Sequence, residues 1–201
     1  MSWKGIAQPI RIETVETSQK QLEQIILVVG PASSGKSEWA EYLAKQSPKP
    51  VTYVATAIAD PNDPAWQDKL QKHALRRPPS WSTQEIPTAL ADCLQQAQPQ
   101  ECLLIDSLGT WVANLLTSEE QEWEQTVKAF LDSLNQTAAQ VILVGEETGW
   151  GVIPAYKSGR AFRDRLGDLI RRVGENATEV YLVTGGYALP LSQLGQPLTA
   201  L

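Results

Sequence analysis

Gly30-Pro31-Ala32-Ser33-Ser34-Gly35-Lys36-Ser37 fits the pattern G-x-x-x-x-G-K-[ST]. The chemistry open to such a run is that of phosphates. Its glycines let a loop wrap round an anion, and successive backbone N–H groups with a following helix N-terminus supply a positive cradle. Lys36 would reach the β- and γ-phosphates, and the Ser37 hydroxyl would ligand Mg²⁺. The pattern carries this meaning only between a strand and a helix. Elsewhere it is a Gly-rich turn that binds nothing.

Three further places carry candidate chemistry. Asp106 follows the apolar run Cys102-Leu103-Leu104-Ile105, where an acid can hold Mg²⁺ beside a phosphate loop. Asp106 and Ser107 also suit a helix N-cap, and the two roles can coexist. His73 is the only histidine, in a basic stretch with Arg76 and Arg77. A lone histidine there reads first as a solvated surface residue. Yet a neutral imidazole is nucleophilic towards phosphorus, and flanking cations favour the neutral form. Gly149-Trp150-Gly151-Val152-Ile153-Pro154 follows a strand, and Arg160, Arg163 and Asp164 come next. Ligands of open α/β sheets bind at strand carboxyl ends, although a plain loop before a solvated helix face reads equally well.

The elements that must position these residues alternate. Continuously apolar or β-branched runs predict strands at 25–29, 51–55, 101–105, 141–144 and 180–184. Amphipathic stretches predict helices at 37–46, 64–75, 88–97, 108–116, 119–134 and 162–177. The first helix stops at Ser47-Pro48-Lys49-Pro50, because proline cannot continue the ladder. The tail, with Pro190 and Pro197, reads as irregular. Strands separated by helices predict an α/β domain: a mainly parallel sheet with helices on both faces. The phosphate pattern then sits between a strand and a helix, as it must.

Composition narrows the function. The chain has 201 residues and a formal charge of −6, which disfavours a nucleic-acid backbone as main partner. Two cysteines without a CxxC, and one histidine, nearly exclude a zinc site and cannot form a disulfide framework, so a reducing cytoplasm is expected. The longest apolar run, Ile25-Ile26-Leu27-Val28-Val29, is too short to span a bilayer. Residues 1–24 read as an extension and residues 25–201 as a single domain, with no internal repeat.

From 25 to about 186 the chain resembles the bifunctional adenosylcobinamide kinase / adenosylcobinamide-phosphate guanylyltransferase family of cobalamin biosynthesis. Specific to it are Tyr53-Val54-Ala55-Thr56-Ala57 and His-x-x-x-Arg-Pro-x-x-Trp-x-Thr-x-Glu from His73 to Glu85. Leu104-Ile105-Asp106-Ser107-Leu108 with Asn114-Leu115-Leu116, Glu147-x-Gly149-x-Gly151-x-x-Pro154, and Arg160-x-Phe162-Arg163-Asp164 with Gly167 follow in the family's order. The resemblance implies a P-loop nucleotide-binding fold with a mixed sheet, and a homo-oligomer, trimeric in the type example. It implies triphosphate binding by Gly30, Pro31, Ala32, Ser33, Ser34, Gly35, Lys36 and Ser37. Ala55, Thr56, Ala57, Ala74, Leu75, Arg76, Arg77, Glu85 and Asp106 match the family's other nucleotide contacts. His73 matches the histidine that becomes guanylylated, and Ser37 and Asp106 would hold Mg²⁺.

The implied activity joins phosphorylation of adenosylcobinamide, with ATP or GTP as donor, to transfer of GMP from GTP. A corrinoid and nucleotides would be the partners, with no nucleic acid and no membrane. The chain departs from the family at Pro31 and Ser33 in the loop, at Glu146, where Asn is expected, and at Ile170-Arg171, where Asn-Gln is expected. Glu146 and Ile170-Arg171 are expected in the region of the corrinoid acceptor or the fold around it. The alternatives are a P-loop small-molecule kinase with a changed acceptor, and a nucleotide-binding protein without turnover.

Overall fold

The computed structural model describes residues 25–58 and 76–198. The predicted extension at 1–24 and the predicted helix at 64–75, which carries His73, lie outside the described residues.

Seven strands form one sheet in the order β3-β2-β4-β5-β1-β6-β7. They are β1 (Ile25–Gly30), β2 (Val51–Ala55), β3 (Ser82–Glu85), β4 (Cys102–Asp106), β5 (Gln140–Glu146), β6 (Glu179–Thr184) and β7 (Tyr187–Pro190). Every pairing is parallel except β6 with β7. The strands at the centre, β1, β4 and β5, are almost wholly buried, which is why they read as unbroken apolar runs.

Among the described residues the helices are α1 (Lys36–Gln46), α2 (Leu90–Gln96), α3 (Leu108–Asn114), α4 (Glu120–Gln136), α5 (Lys157–Asn176) and the single turn α6 (Leu191–Leu194). On one face, Leu27, Val29, Ile105 and Leu143 pack against Leu94, Trp111, Phe130 and Leu166 from α2, α3, α4 and α5. On the other face, Ile26, Val28, Leu104 and Val144 meet Ala40 and Ala44 of α1. Small residues let α1 lie close on the sheet. That closeness sets the height of its N-terminus, where the phosphate pattern sits.

One strand lies outside the predicted set, and one expectation needs correction. Ser82–Glu85 is a strand, although its four residues are polar and exposed. An edge strand held by backbone bonds needs no apolar pattern, so periodicity had nothing to detect. The tail is not irregular: β7 folds back on β6 through Gly185 and Gly186, both at positive φ (59° and 82°). A two-residue turn of that handedness matches strand twist, and glycine adopts it without strain.

Candidate functional site

The predicted phosphate loop lies between β1 and α1, as the pattern requires. Gly30 ends β1, and a Cβ there would come within 2.4 Å of the Val183 carbonyl oxygen and 2.6 Å of Ser34 Oγ, so only glycine fits. Ser33 and Gly35 take positive φ of 58° and 92°, with Ser34 between them. Alternating handedness of this kind makes a backbone concavity for anions. Lys36 opens α1, is only 8% exposed, and donates from Nζ to the Pro31 carbonyl at 3.3 Å. Ser34 Oγ is buried and has no hydrogen-bond partner among the described residues. Ser37 is half-buried in the first turn, while Ala32 and Ser33 are exposed.

Asp106 ends β4. Strand β5 lies between β4 and β1, so the acid and the loop stand two strand spacings apart, about 10 Å. The capping role falls to Ser107, whose Oγ accepts from the Thr110 N–H at 3.4 Å and closes a capping box. Asp106 is therefore not needed as the cap of α3. Its Oδ2 accepts from the Tyr53 hydroxyl at 3.0 Å.

The other predicted nucleotide contacts fall into two groups. Ala55 ends β2 and is in register with Glu85 on one side and Asp106 on the other, so these residues form one row across three strands. Glu85 is exposed. Thr56 is fully buried: its Oγ1 donates to the Ser107 carbonyl at 2.7 Å and accepts from the Ser107 N–H at 2.9 Å. It also bonds Thr110 Oγ1. Asn114 Nδ2 donates to the Thr56 carbonyl at 2.8 Å, so the 55–57 segment is tied to the β4–α3 corner. His73, Ala74 and Leu75 lie outside the described residues. Arg76 pairs with Glu38 and with the buried Glu41 of α1, both at 3.0 Å. Arg77 stacks on Tyr53, its Cζ 3.9 Å from the ring centroid, and donates to Thr83 Oγ1 at 3.0 Å.

Glu146, expected in the acceptor region or the fold around it, stands close to the phosphates' place. It ends β5 in register with Gly30, on the sheet face that carries Val144, Leu104 and Tyr53, and is thus beside the phosphate loop. Its Oε2 accepts from the Gly109 N–H at 2.9 Å. Burial pushes its carboxyl above the usual glutamate range; the Ser107 hydrogen bond, the Lys36 charge and the Gly109 bond oppose this, and the Asp106 charge adds to it. Ile170 packs its Cδ1 over Gly145, where a Cβ would lie 2.1 Å away, and is a core contact. Arg171 is a surface residue paired with Asp168 at 2.8 Å and with Glu175. The loop after β5 presents Trp150, Val152, Ile153 and Tyr156 to solvent, with Val152 95% exposed. Arg160 holds that loop to α5 by donating to the carbonyls of Pro154 at 3.0 Å and Ala155 at 2.7 Å.

The oxygen donors at the loop and at Asp106 are hard ligands, which suit Mg²⁺ better than a soft metal. Among the described residues no cluster of three or more His, Cys, Asp or Glu could hold a metal ion. Mg²⁺ at phosphate sites commonly uses one or two protein ligands beside the phosphates themselves, so Ser37 and Asp106 fit that pattern.

Comparison with known proteins agrees with this geometry. The chain is 38% identical over 174 residues to the bifunctional adenosylcobalamin biosynthesis protein CobP of Pseudomonas aeruginosa, covering 86% of this chain and 98% of the relative. It is 33% identical over 183 residues to the bifunctional adenosylcobalamin biosynthesis protein CobU of Escherichia coli K12, covering 83% and 99%. Among solved structures it resembles a Pyrococcus horikoshii OT3 protein at TM-score 0.51 and 8% identity, covering 84% of this chain and 85% of that one. It also resembles a type III secretion ATPase at TM-score 0.50 and 10% identity, covering 86% and 53%. Those two likenesses concern the fold alone. Residues 26–191 match the cobinamide kinase / cobinamide phosphate guanyltransferase family, and the chain belongs to it.

Proposed function

We propose that one nucleotide site in this chain serves two phosphorus chemistries in making adenosylcobinamide-GDP. The observation that carries this is the positive-φ loop with buried Lys36 and unpartnered Ser34, standing two strands from Asp106, in a chain of this family.

In the kinase step a hydroxyl of adenosylcobinamide attacks the γ-phosphorus of ATP or GTP, and the bond to the β-phosphate oxygen breaks. The loop N–H groups and Lys36 hold the phosphates in line and meet the negative charge that develops on their oxygens. Mg²⁺ held by Ser37 and Asp106 would supply further charge neutralisation at the phosphates. In the transferase step neutral His73 attacks the α-phosphorus of GTP and expels pyrophosphate. Adenosylcobinamide phosphate then displaces the imidazole and takes the guanylyl group, which is covalent catalysis in two displacements. Ala55, Thr56, Ala57, Glu85 and Arg77, with Ala74, Leu75 and Arg76, would place the nucleotide. Of these, Arg76 is engaged by α1 and acts on the nucleotide by tethering its segment to the loop helix.

A kinase with a changed acceptor is the second reading, favoured by the carboxylate of Glu146 where the family is expected to place an amide. The enzyme is taken to work in the cytoplasm as a homo-oligomer, a trimer by family resemblance, with a corrinoid and nucleotides as partners. Among the described residues no helix is long and apolar enough to cross a membrane. Incubating the protein with adenosylcobinamide, Mg²⁺ and GTP or ATP, then separating corrinoids by chromatography, tests the proposal. Adenosylcobinamide phosphate followed by its GDP derivative is expected. Nucleotide binding with no phosphorylated corrinoid would contradict it.

A further inference from the structure

Tyr53 lies in β2, 5% exposed, in the apolar layer on the α1 face of the sheet and in register with Leu104 of β4. A phenylalanine would fill that place, so the hydroxyl needs its own reason. It is found two residues along the strand, on the same sheet face, at the carboxylate of Asp106 in the neighbouring strand. A hydrogen bond on one carboxylate oxygen fixes the rotation of the whole group. The ring has a second partner in Arg77, whose guanidinium lies 3.9 Å from its centroid and is steadied by Thr83 on β3. A cation over an aromatic face at that distance is attracted to it.

We propose that Tyr53 is the positioning residue of the nucleotide site: its hydroxyl orients the carboxylate that takes the divalent cation, and its ring carries Arg77. The inference rests on Asp106 and Arg77 having the roles proposed above. Tyr53 touches neither nucleotide nor metal and acts through these two side chains.

The test uses the full-length protein and Mn²⁺, read by electron paramagnetic resonance in the presence of β,γ-imido-GTP. Metal-free affinity for the same analogue is read in EDTA. Tyr53→Phe should raise the Mn²⁺ dissociation constant by roughly 10–100-fold, as loss of a partner that orients a ligand does, and leave the metal-free affinity within about twofold. Tyr53→Leu should weaken metal-free binding as well, because Arg77 loses its platform. If Tyr53→Leu does not fold, Tyr53→Phe alone decides, since it keeps the packing. Asp106→Asn separates the two levels. If Asp106→Asn weakens Mn²⁺ while Tyr53→Phe binds it like wild type, the role of Tyr53 falls and that of Asp106 stands. If Asp106→Asn also binds Mn²⁺ like wild type, the assignment of Asp106 falls and the inference falls with it.

Discussion

Lys36 is buried and Glu146 half-buried within one site, and each offers a sharp test. Lys36→Ala removes charge at the phosphates and little packing. It should lower both activities by about 10²-fold or more, the scale of losing one preorganised charge stabiliser, with circular dichroism unchanged. Phosphorylation near the wild-type rate would overturn the loop assignment. Glu146→Gln tests the buried carboxyl. Its folded value lies above the ordinary one, so the native state holds this proton more tightly than the unfolded chain does. The contribution is favourable at low pH and is lost as pH rises from the ordinary glutamate value, about 4.3, through the raised one. An amide resembles the protonated form and keeps an oxygen for the Gly109 N–H. The nucleotide-free variant should therefore melt higher than wild type at pH 7, with the gain shrinking towards pH 4. A lower Tm at pH 7 would contradict the stated environment. At this scale the places of Lys36 and Ser37 at the head of α1 and of Asp106 at the end of β4 were legible, because the pattern and the apolar run before the acid hold within short stretches. Tyr53 was given no role of its own, and the place of Glu146 beside the phosphate loop was not read. The first depends on β2 pairing with β4 and the second on β5 lying between β1 and β4, which no local spacing encodes.

At the scale of elements, the site is held by a joint between the end of β2 and the start of α3. Thr56 is the pivot, fully buried and bonded to both backbone groups of Ser107. Thr56→Val keeps the shape and leaves the buried Ser107 N–H without this partner. A cost of about 1–3 kcal/mol is expected, and Tm should fall by roughly 2–4 °C for each kcal/mol. An unchanged Tm in differential scanning calorimetry would show that the joint does not depend on this hydroxyl. The strand and helix pattern at 25–58 and 76–184 was largely readable, because the inner strands are buried on both faces and announce themselves as apolar runs. The elements missed were at the two edges. β3 is polar, and β7 depends on a Gly-Gly turn whose positive φ was not used as a hairpin signal.

For the whole molecule, the central claim is that one nucleotide site does both chemistries and that only one of them needs a protein nucleophile. Phosphoryl transfer needs positioning and charge neutralisation, whereas guanylyl transfer by the proposed route needs the imidazole. His73 is the only histidine in the chain, so no second imidazole can replace it. The direct measurement is incubation of the full-length protein and its His73→Ala variant with α-labelled GTP and Mg²⁺. Phosphorylation of adenosylcobinamide is assayed in parallel. Wild type should acquire a label stable in alkali and lost in acid, as a phosphoramidate is, and labelling should decline below roughly pH 6 as the imidazole takes a proton. The variant should acquire none and still phosphorylate adenosylcobinamide at a measurable fraction of the wild-type rate. Full labelling of His73→Ala, or an acid-stable and alkali-labile label on wild type, would place the nucleophile on another residue and contradict the account.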